Sequence, residues 1–187
     1  GLPAYDMVVQ GMGGLMSVTG QPNSEPTRVG TSIGDITAGL FTAIGINAAL
    51  YDREKTGRGM YIDVAMLDCQ IAILENAIAR YLSKGEIPKP MGSRHPSIAP
   101  FEAFKTKDSH IIIAAGNDKL FEGMCKIFDL NLYQDEKFNT NSKRNENIEE
   151  LKKILEEKLK NKTTAEWCKI LEDKKIPCGP INNIKEA

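Results

Sequence analysis

At 187 residues the chain is long enough for one domain or a domain and a half with a substantial core, and its 24 Lys and Arg stand against 25 Asp and Glu. That balance argues against charge-driven binding to nucleic acid or to an anionic membrane. Four widely spaced cysteines and two histidines offer no zinc-type spacing, and free thiols suit a reducing, cytoplasmic setting.

Charge is unevenly spread, with 13 charged side chains in residues 1–80 and 36 in 81–187, so a packed portion is expected before a more solvated module. The chain opens without Met at Gly1-Leu2-Pro3 and ends on Asn182-Asn183-Ile184-Lys185-Glu186-Ala187, which reads as a new helix starting. It therefore reads as a piece of something longer. No signal peptide opens it and no apolar run reaches transmembrane length without interruption, so no membrane partner is expected.

Ala4 to Gln10 is expected to be a helix start or short buried segment, followed by Gly11, Gly13 and Gly14, which permit tight turning. The cluster lacks G-x-G-x-x-G spacing and is a weak phosphate signal. After the polar loop Gln21 to Gly30 comes a long apolar run, Ile33 to about Arg53, whose spacing predicts a helix buried on most sides. Asp35 stands at its first turn, where free N–H groups and the helix field favour a carboxylate. Two readings fit Asp35: an N-cap, or an ionised carboxylate in an apolar cleft that acts as nucleophile or base.

Glu54 to Gly59 reads as a charged turn, Met60 to Val64 as a short strand with Tyr61 and Asp63 on one side, and Met66 to Leu82 as one helix. Four prolines between Gly85 and Pro100 predict an interdomain bridge. Beyond it, strands are expected at Glu102 to Thr106 and His110 to Ala115, and a helix at Asp118 to Phe128. Asp129 to Asn145 reads as irregular surface, and Ile148 to Leu159 as an amphipathic helix. Thr163 and Glu166 form a capping box for a helix bearing Trp167, and Ile176 to Pro180 reads as a rigid exit. Cys178, between Pro177 and Gly179, reads as a structural thiol.

Taken in order, several stretches resemble the family III CoA-transferases (CaiB/BaiF type), which include formyl-CoA transferase and carnitine CoA-transferase and have alpha-methylacyl-CoA racemase as a relative. The matching pieces are Tyr5-Asp6, Gly13-Gly14 with Thr19-Gly20, Asp35 with Gly39-Leu40, Ala48 to Gly59, and Ile62-Asp63-Val64. They continue with Pro96 to Phe101, Ala114 to Asp118, and Ile176 to Pro180.

The resemblance implies an α/β fold in which this chain is an internal fragment of a protein about twice as long. Residues 1–84 would be the C-terminal part of the first half of a large Rossmann-like domain. Residues 85–175 would be a small α+β domain, and 176–187 the start of a return to the large domain. It further implies a homodimer of two interlocked subunits, acyl-CoA and a small carboxylic acid as substrates, and no permanently bound cofactor.

The family's nucleophilic aspartate falls on Asp35. Tyr5, Gly13, Gly14, Gly34 and Arg58 are the implied CoA-binding positions, with the three glycines also candidates as oxyanion donors. Arg58, with Arg53 and Lys55, belongs to a basic turn that suits either CoA phosphates or helix-end electrostatics.

The racemase branch carries a histidine at the place of Tyr5. A phenol, with a pKa of roughly 10, is a poor second base near neutrality, which argues for transfer. Tyr5 then packs either against the nucleotide end of CoA or into the core. The glycine-rich loop of formyl-CoA transferase is absent between Gly85 and Asp108, which sets formate and oxalate in doubt. Arg94 and His95 stand as candidates to meet a substrate carboxylate, or as ordinary linker residues. Two further readings stay open: a racemase-like enzyme, and a noncatalytic remnant or interaction module.

Overall fold

The computed structural model describes residues 3–187; Gly1 and Leu2, with which the first expected domain opens, lie outside the described residues. The chain forms two compact units, one ending at Gly92 and the other running from Ser93. The family resemblance implied that division between residues 84 and 85.

The first unit is helical among the described residues. Helix α1 (Asp6–Met12) is followed by the single turn α2 (Leu15–Val18), which sequence did not separate from the glycine cluster. Gly14 begins that turn at φ +84, a left-handed conformation that favours glycine. Helix α3 (Ile33–Thr56) runs 24 residues and stops at Gly57, whose φ of +67 and N–H to Arg53 O close it.

Contrary to the expectation of burial on most sides, only Gly34 and Thr37 of α3 are buried. Ile36, Leu40, Ile44 and Leu50 are exposed. The sequence reading found no uninterrupted span, yet by length and composition α3 could cross a membrane. Length and composition do not distinguish such a helix from the core helix of a larger protein, and its buried contacts are with α1 and with α4 (Met66–Ala72).

Met60 to Val64 pairs with no neighbour among the described residues, so no strand forms there. The expected alternation is nonetheless present: Tyr61 and Asp63 are exposed, while Ile62 and Val64 are half-buried. A strand needs hydrogen-bonded neighbours, and the described residues of this unit supply none. The single helix expected over Met66 to Leu82 is broken into α4 and α5 (Glu75–Lys84), with Leu74 at ψ 31 outside helical geometry. Apolar spacing carries through the break, and for that reason periodicity missed it.

The second unit pairs β1 (Phe101–Lys105), β2 (His110–Ala114) and β3 (Cys178–Pro180) in one antiparallel sheet of that order. Sequence assigned no strand to β3. It is only three residues long and is defined by its pairing with Ile111 to Ile113 of β2.

The buried sheet face, with Phe104, Ile111 and Ile113, packs against side chains of α6 (Asp118–Ile127), α8 (Ile148–Leu159) and α9 (Thr164–Asp173). On α8 the buried residues Ile148, Leu151, Leu155 and Leu159 make one stripe at helical spacing. The capping box forms as expected: Thr163 Oγ1 accepts from Glu166 N, and Glu166 accepts from Thr163 N at 2.8 Å. The segment read as irregular holds a 3-10 turn (Leu132–Gln134) and α7 (Asn141–Glu146), both short.

Arg144 of α7 is fully buried. It donates to Ala99 O at 2.7 Å and Phe138 O at 3.1 Å, pairs with Asp118 at 2.7 Å, and lies 4.4 Å over the Phe121 ring.

Candidate active site

Asp35 lies in the first turn of α3, exposed, three residues past the N-cap Ser32. The N-cap reading of Asp35 therefore fails. The described residues supply no apolar wall around Asp35. Ser32 makes no side-chain cap; instead Asp6 of α1 reaches across, and the Gly34 N–H donates to its Oδ1 at 2.8 Å. An acidic side chain from another helix thus satisfies one of the free donors that begin α3.

The same Asp6 accepts at Oδ2 from Gln10 Nε2 at 2.8 Å, and the Val29 N–H donates to Gln10 Oε1 at 2.9 Å. Gln10 is fully buried. The network fixes the end of the polar loop and the start of α3 against α1. At Gly34 a Cβ would lie 2.7 Å from Val9 Cγ2 and 3.1 Å from Asp6 Oδ1, so only glycine lets the two helices approach this closely.

Gly13 is another close approach, where a Cβ would lie 2.7 Å from Gln70 Cγ. Gln70 is itself fully buried, with neither amide atom hydrogen-bonded among the described residues.

The three glycines named as oxyanion donors do not offer free N–H groups. Gly34 donates to Asp6, Gly13 to Val9 O at 2.7 Å, and Gly14 to Gly11 O at 3.4 Å. No partner is found for the Asp35 N–H among the described residues. Tyr5 is 77 % exposed among the described residues.

Arg58 lies beyond the far end of α3, roughly 32 Å along the helix from Asp35 at 1.5 Å per residue. One chain does not bring the two into one site. Its neighbour Lys55 acts locally, with Nζ 4.3 Å from the Tyr51 ring centroid.

In the second unit His95 is a structural residue: its Nδ1 accepts from Ser97 N and Ile98 N, and its ring stacks on Phe101 at 5.2 Å. Arg94 Nε is buried without a partner among the described residues. Burial pushes the Cys178 thiol up to about 11, which suits the structural reading of that residue. No cluster of His, Cys, Asp or Glu able to hold a metal ion occurs among the described residues.

Asp6, Gln10 and Gln70 were given no site role from sequence. Asp6 and Gly34 are 28 residues apart, and nothing local announces their bond. Gln70 did leave a trace, being a polar residue three positions from Leu67 in an otherwise apolar stripe.

The geometry has counterparts among known proteins. Acetyl-CoA:oxalate CoA-transferase of Acetobacter aceti is 41% identical over 187 residues, 99% of this chain and 48% of that protein. Succinyl-CoA:glutarate CoA-transferase of Homo sapiens is 41% identical over 184 residues, 98% of this chain and 42% of that protein. The chain thus spans about half the length of the curated relatives it matches.

The crystal structure of a CAIB/BAIF family protein from Brucella suis superposes with a TM-score of 0.83 at 40% identity, covering 98% of this chain and 49% of that one. That of Rv3272 from M. tuberculosis gives 0.87 at 26%, covering 98% and 48%. The fold is the α/β fold typical of these enzymes, of which the chain carries helices of one part and the small sheet domain. With the family model for CoA-transferase family III matching residues 1–187, the chain belongs to that family of enzymes.

Proposed function

We propose that the parent protein moves coenzyme A from an acyl-CoA donor to a carboxylic acid acceptor, with Asp35 as the covalent carrier. The observation that carries this reading is an exposed carboxylate in the first turn of α3, a turn anchored to α1 by the Asp6–Gly34 bond. A nucleophile of this kind has to remain ionised, and a helix N-terminus favours that state.

In the first half-reaction Asp35 attacks the thioester carbonyl, releasing CoA thiolate and leaving a mixed anhydride. The thiolate then attacks the Asp35 carbonyl, forming an aspartyl-CoA thioester and expelling the donor acid as its carboxylate. The acceptor carboxylate attacks that thioester and again frees the thiolate. Thiolate attack on the acceptor's carbonyl completes the new acyl-CoA and returns Asp35. Each step exchanges one carboxylate or thiolate for another, so no proton or metal is consumed. The Asp35 N–H is the donor best placed to face a developing oxyanion, in place of the three glycines.

The relatives reported above are named for oxalate and glutarate, so the acceptor class favoured is a small dicarboxylic acid. Oxalate returns to consideration despite the missing glycine-rich loop. Tyr5, at the position where the racemase branch carries histidine, weighs for transfer over racemisation. The exposed apolar face of α3 is covered in this reading by the rest of the parent chain and a second, interlocked copy rather than by lipid.

The test is to incubate the full-length parent with acetyl-CoA and succinyl-CoA, quench, and map adducts by peptide mass spectrometry. A hydroxylamine-sensitive CoA adduct on the Asp35 peptide, absent in Asp35→Asn, is expected. Alpha-proton exchange with solvent deuterium without an adduct would instead establish the racemase reading.

A further inference from the structure

We infer that Asp6 and Gln10 are a positioning pair for Asp35, and that the direction of their hydrogen bonds matters as well as their presence. This inference rests on the reading of Asp35 as nucleophile. Neither side chain touches the reacting atoms; both act through the backbone that carries Asp35.

The geometry leaves each atom one task. Asp6 Oδ1 accepts at 2.8 Å from the N–H of Gly34, the residue immediately before Asp35. Asp6 Oδ2 accepts from Gln10 Nε2 at 2.8 Å, and Gln10 Oε1 accepts from Val29 N at 2.9 Å. A carboxylate only accepts, so it dictates which end of the Gln10 amide faces it. The other end is then an oxygen, which is what the Val29 N–H requires.

Because Gln10 is fully buried, no water replaces a lost partner without cost. The chain of bonds therefore sets where α3 begins relative to α1, and with it where the Asp35 carboxylate stands. Val9 Cγ2 stands 2.7 Å from where a Cβ at Gly34 would lie, so the approach leaves no room for a larger residue. A displacement of about 1 Å in a reacting group costs on the order of 100-fold in rate.

This logic predicts an unusual rescue. In Asp6→Asn, with the asparagine oxygen kept on Gly34 N, its NH2 meets the Gln10 NH2, and turning the Gln10 amide sets a donor against Val29 N–H. In Gln10→Glu two carboxylates face each other. In the double variant Asp6→Asn/Gln10→Glu the asparagine oxygen accepts from Gly34 N, its NH2 donates to the new carboxylate, and that carboxylate accepts from Val29 N. All three bonds are restored at unchanged net charge, with only the 3.5 Å contact of Gln10 to Thr31 O lost.

The experiment measures the single-turnover rate constant of aspartyl-CoA formation in the full-length parent, beside its amplitude and the KM for acyl-CoA. Each single variant is expected to lower the rate constant about 10- to 100-fold at unchanged KM, and the double variant to recover it to within about threefold. A merely structural role lowers the amplitude, because fewer molecules are folded, and leaves the rate constant alone. Single variants with the wild-type rate constant, or a folded double variant without recovery, overturn the inference.

If the double variant does not fold, Gln10→Met decides, since it keeps the acceptor for Gly34. A tenfold slower adduct supports the pair, and an unchanged rate constant overturns it. Wild-type protein that forms no Asp35 adduct at all overturns the underlying reading, a result distinct from any difference among variants.

Discussion

The two units differ in what their apolar side chains have to pack against. From Ser93 onward, seventeen buried apolar residues form one cluster between a sheet and its helices. In the unit ending at Gly92 the buried apolar side chains among the described residues are Val9, Leu15 and Cys69, matched by the buried polar Gln10, Thr37 and Gln70. Apolar residues are not scarce there, since Ile36, Leu40, Ile44 and Leu50 line α3, but they face outward. The second unit contains both walls of its core, while the first contains one wall and the polar joinery that sets helix α3 against α1.

The sharpest way to break that comparison is to separate the units. Residues 93–187 alone are expected to unfold cooperatively in urea, with resolved near-ultraviolet dichroism. Residues 1–92 alone are expected to keep helical signal, bind a hydrophobic dye and unfold without a sharp transition, because α3 has nothing to bury its face against. A cooperative transition in 1–92 would show that six buried side chains and a polar network suffice.

Smaller effects follow inside each unit. Leu155 is fully buried in the complete core, so Leu155→Ala in residues 93–187 is expected to cost about 3 kcal/mol, read from the urea midpoint. Gln70 is equally buried but has no partner for either amide atom, so Gln70→Met in the full-length parent is expected to be neutral or to stabilise by about 1 kcal/mol. A clear loss in Gln70→Met would mean that the rest of the parent supplies the missing partner.

The same contrast explains what sequence could reveal. In the second unit, β1, β2, α6, α8 and the capping box at Thr163 and Glu166 were legible because both the pattern and its partner lie within the chain. The three-residue β3 carried no pattern of its own and exists by pairing with β2. In the first unit, α3 was legible as a helix from its period, but its burial was not, because burial depends on what lies opposite. Met60 to Val64 kept the alternation of a strand and lacked only a neighbour.

Asp35, the proposed nucleophile, was singled out by its place in the first turn of α3 and by the family resemblance. Asp6, which sets the turn that carries it, was not, since a hydrogen bond across 28 residues leaves no local trace. The Met66 to Leu82 break at Leu74 was hidden for the opposite reason, because its apolar spacing was too regular.

The smallest expected effect concerns acid, and it separates the units by the kind of polar group each relies on. Asp108, in the turn between β1 and β2, accepts from the Thr164 N–H at 2.8 Å and contacts the hydroxyls of Thr106 and Thr164. The Thr164 backbone bond, then the hydroxyls, hold its carboxyl below its ordinary value of 3.8. Glu166 is lowered from 4.5, first by the Thr163 N–H and then by the Thr163 hydroxyl.

A carboxyl whose pKa is lower folded than unfolded contributes stability above its unfolded pKa and loses it as pH falls through the folded value. Residues 93–187 are therefore expected to lose stability below about pH 4, modestly because both groups are exposed. Lys126 and Lys137 are raised by their Glu122 and Glu150 partners, so their contribution fades only toward alkaline pH and does not mask the acid limb. In Asp108→Asn the slope of the urea midpoint against pH between 5 and 3, the window implied by ordinary carboxyl pKa values, should flatten. An unchanged slope would assign the acid sensitivity to other carboxylates and remove Asp108 from the joint between the β1–β2 turn and α9.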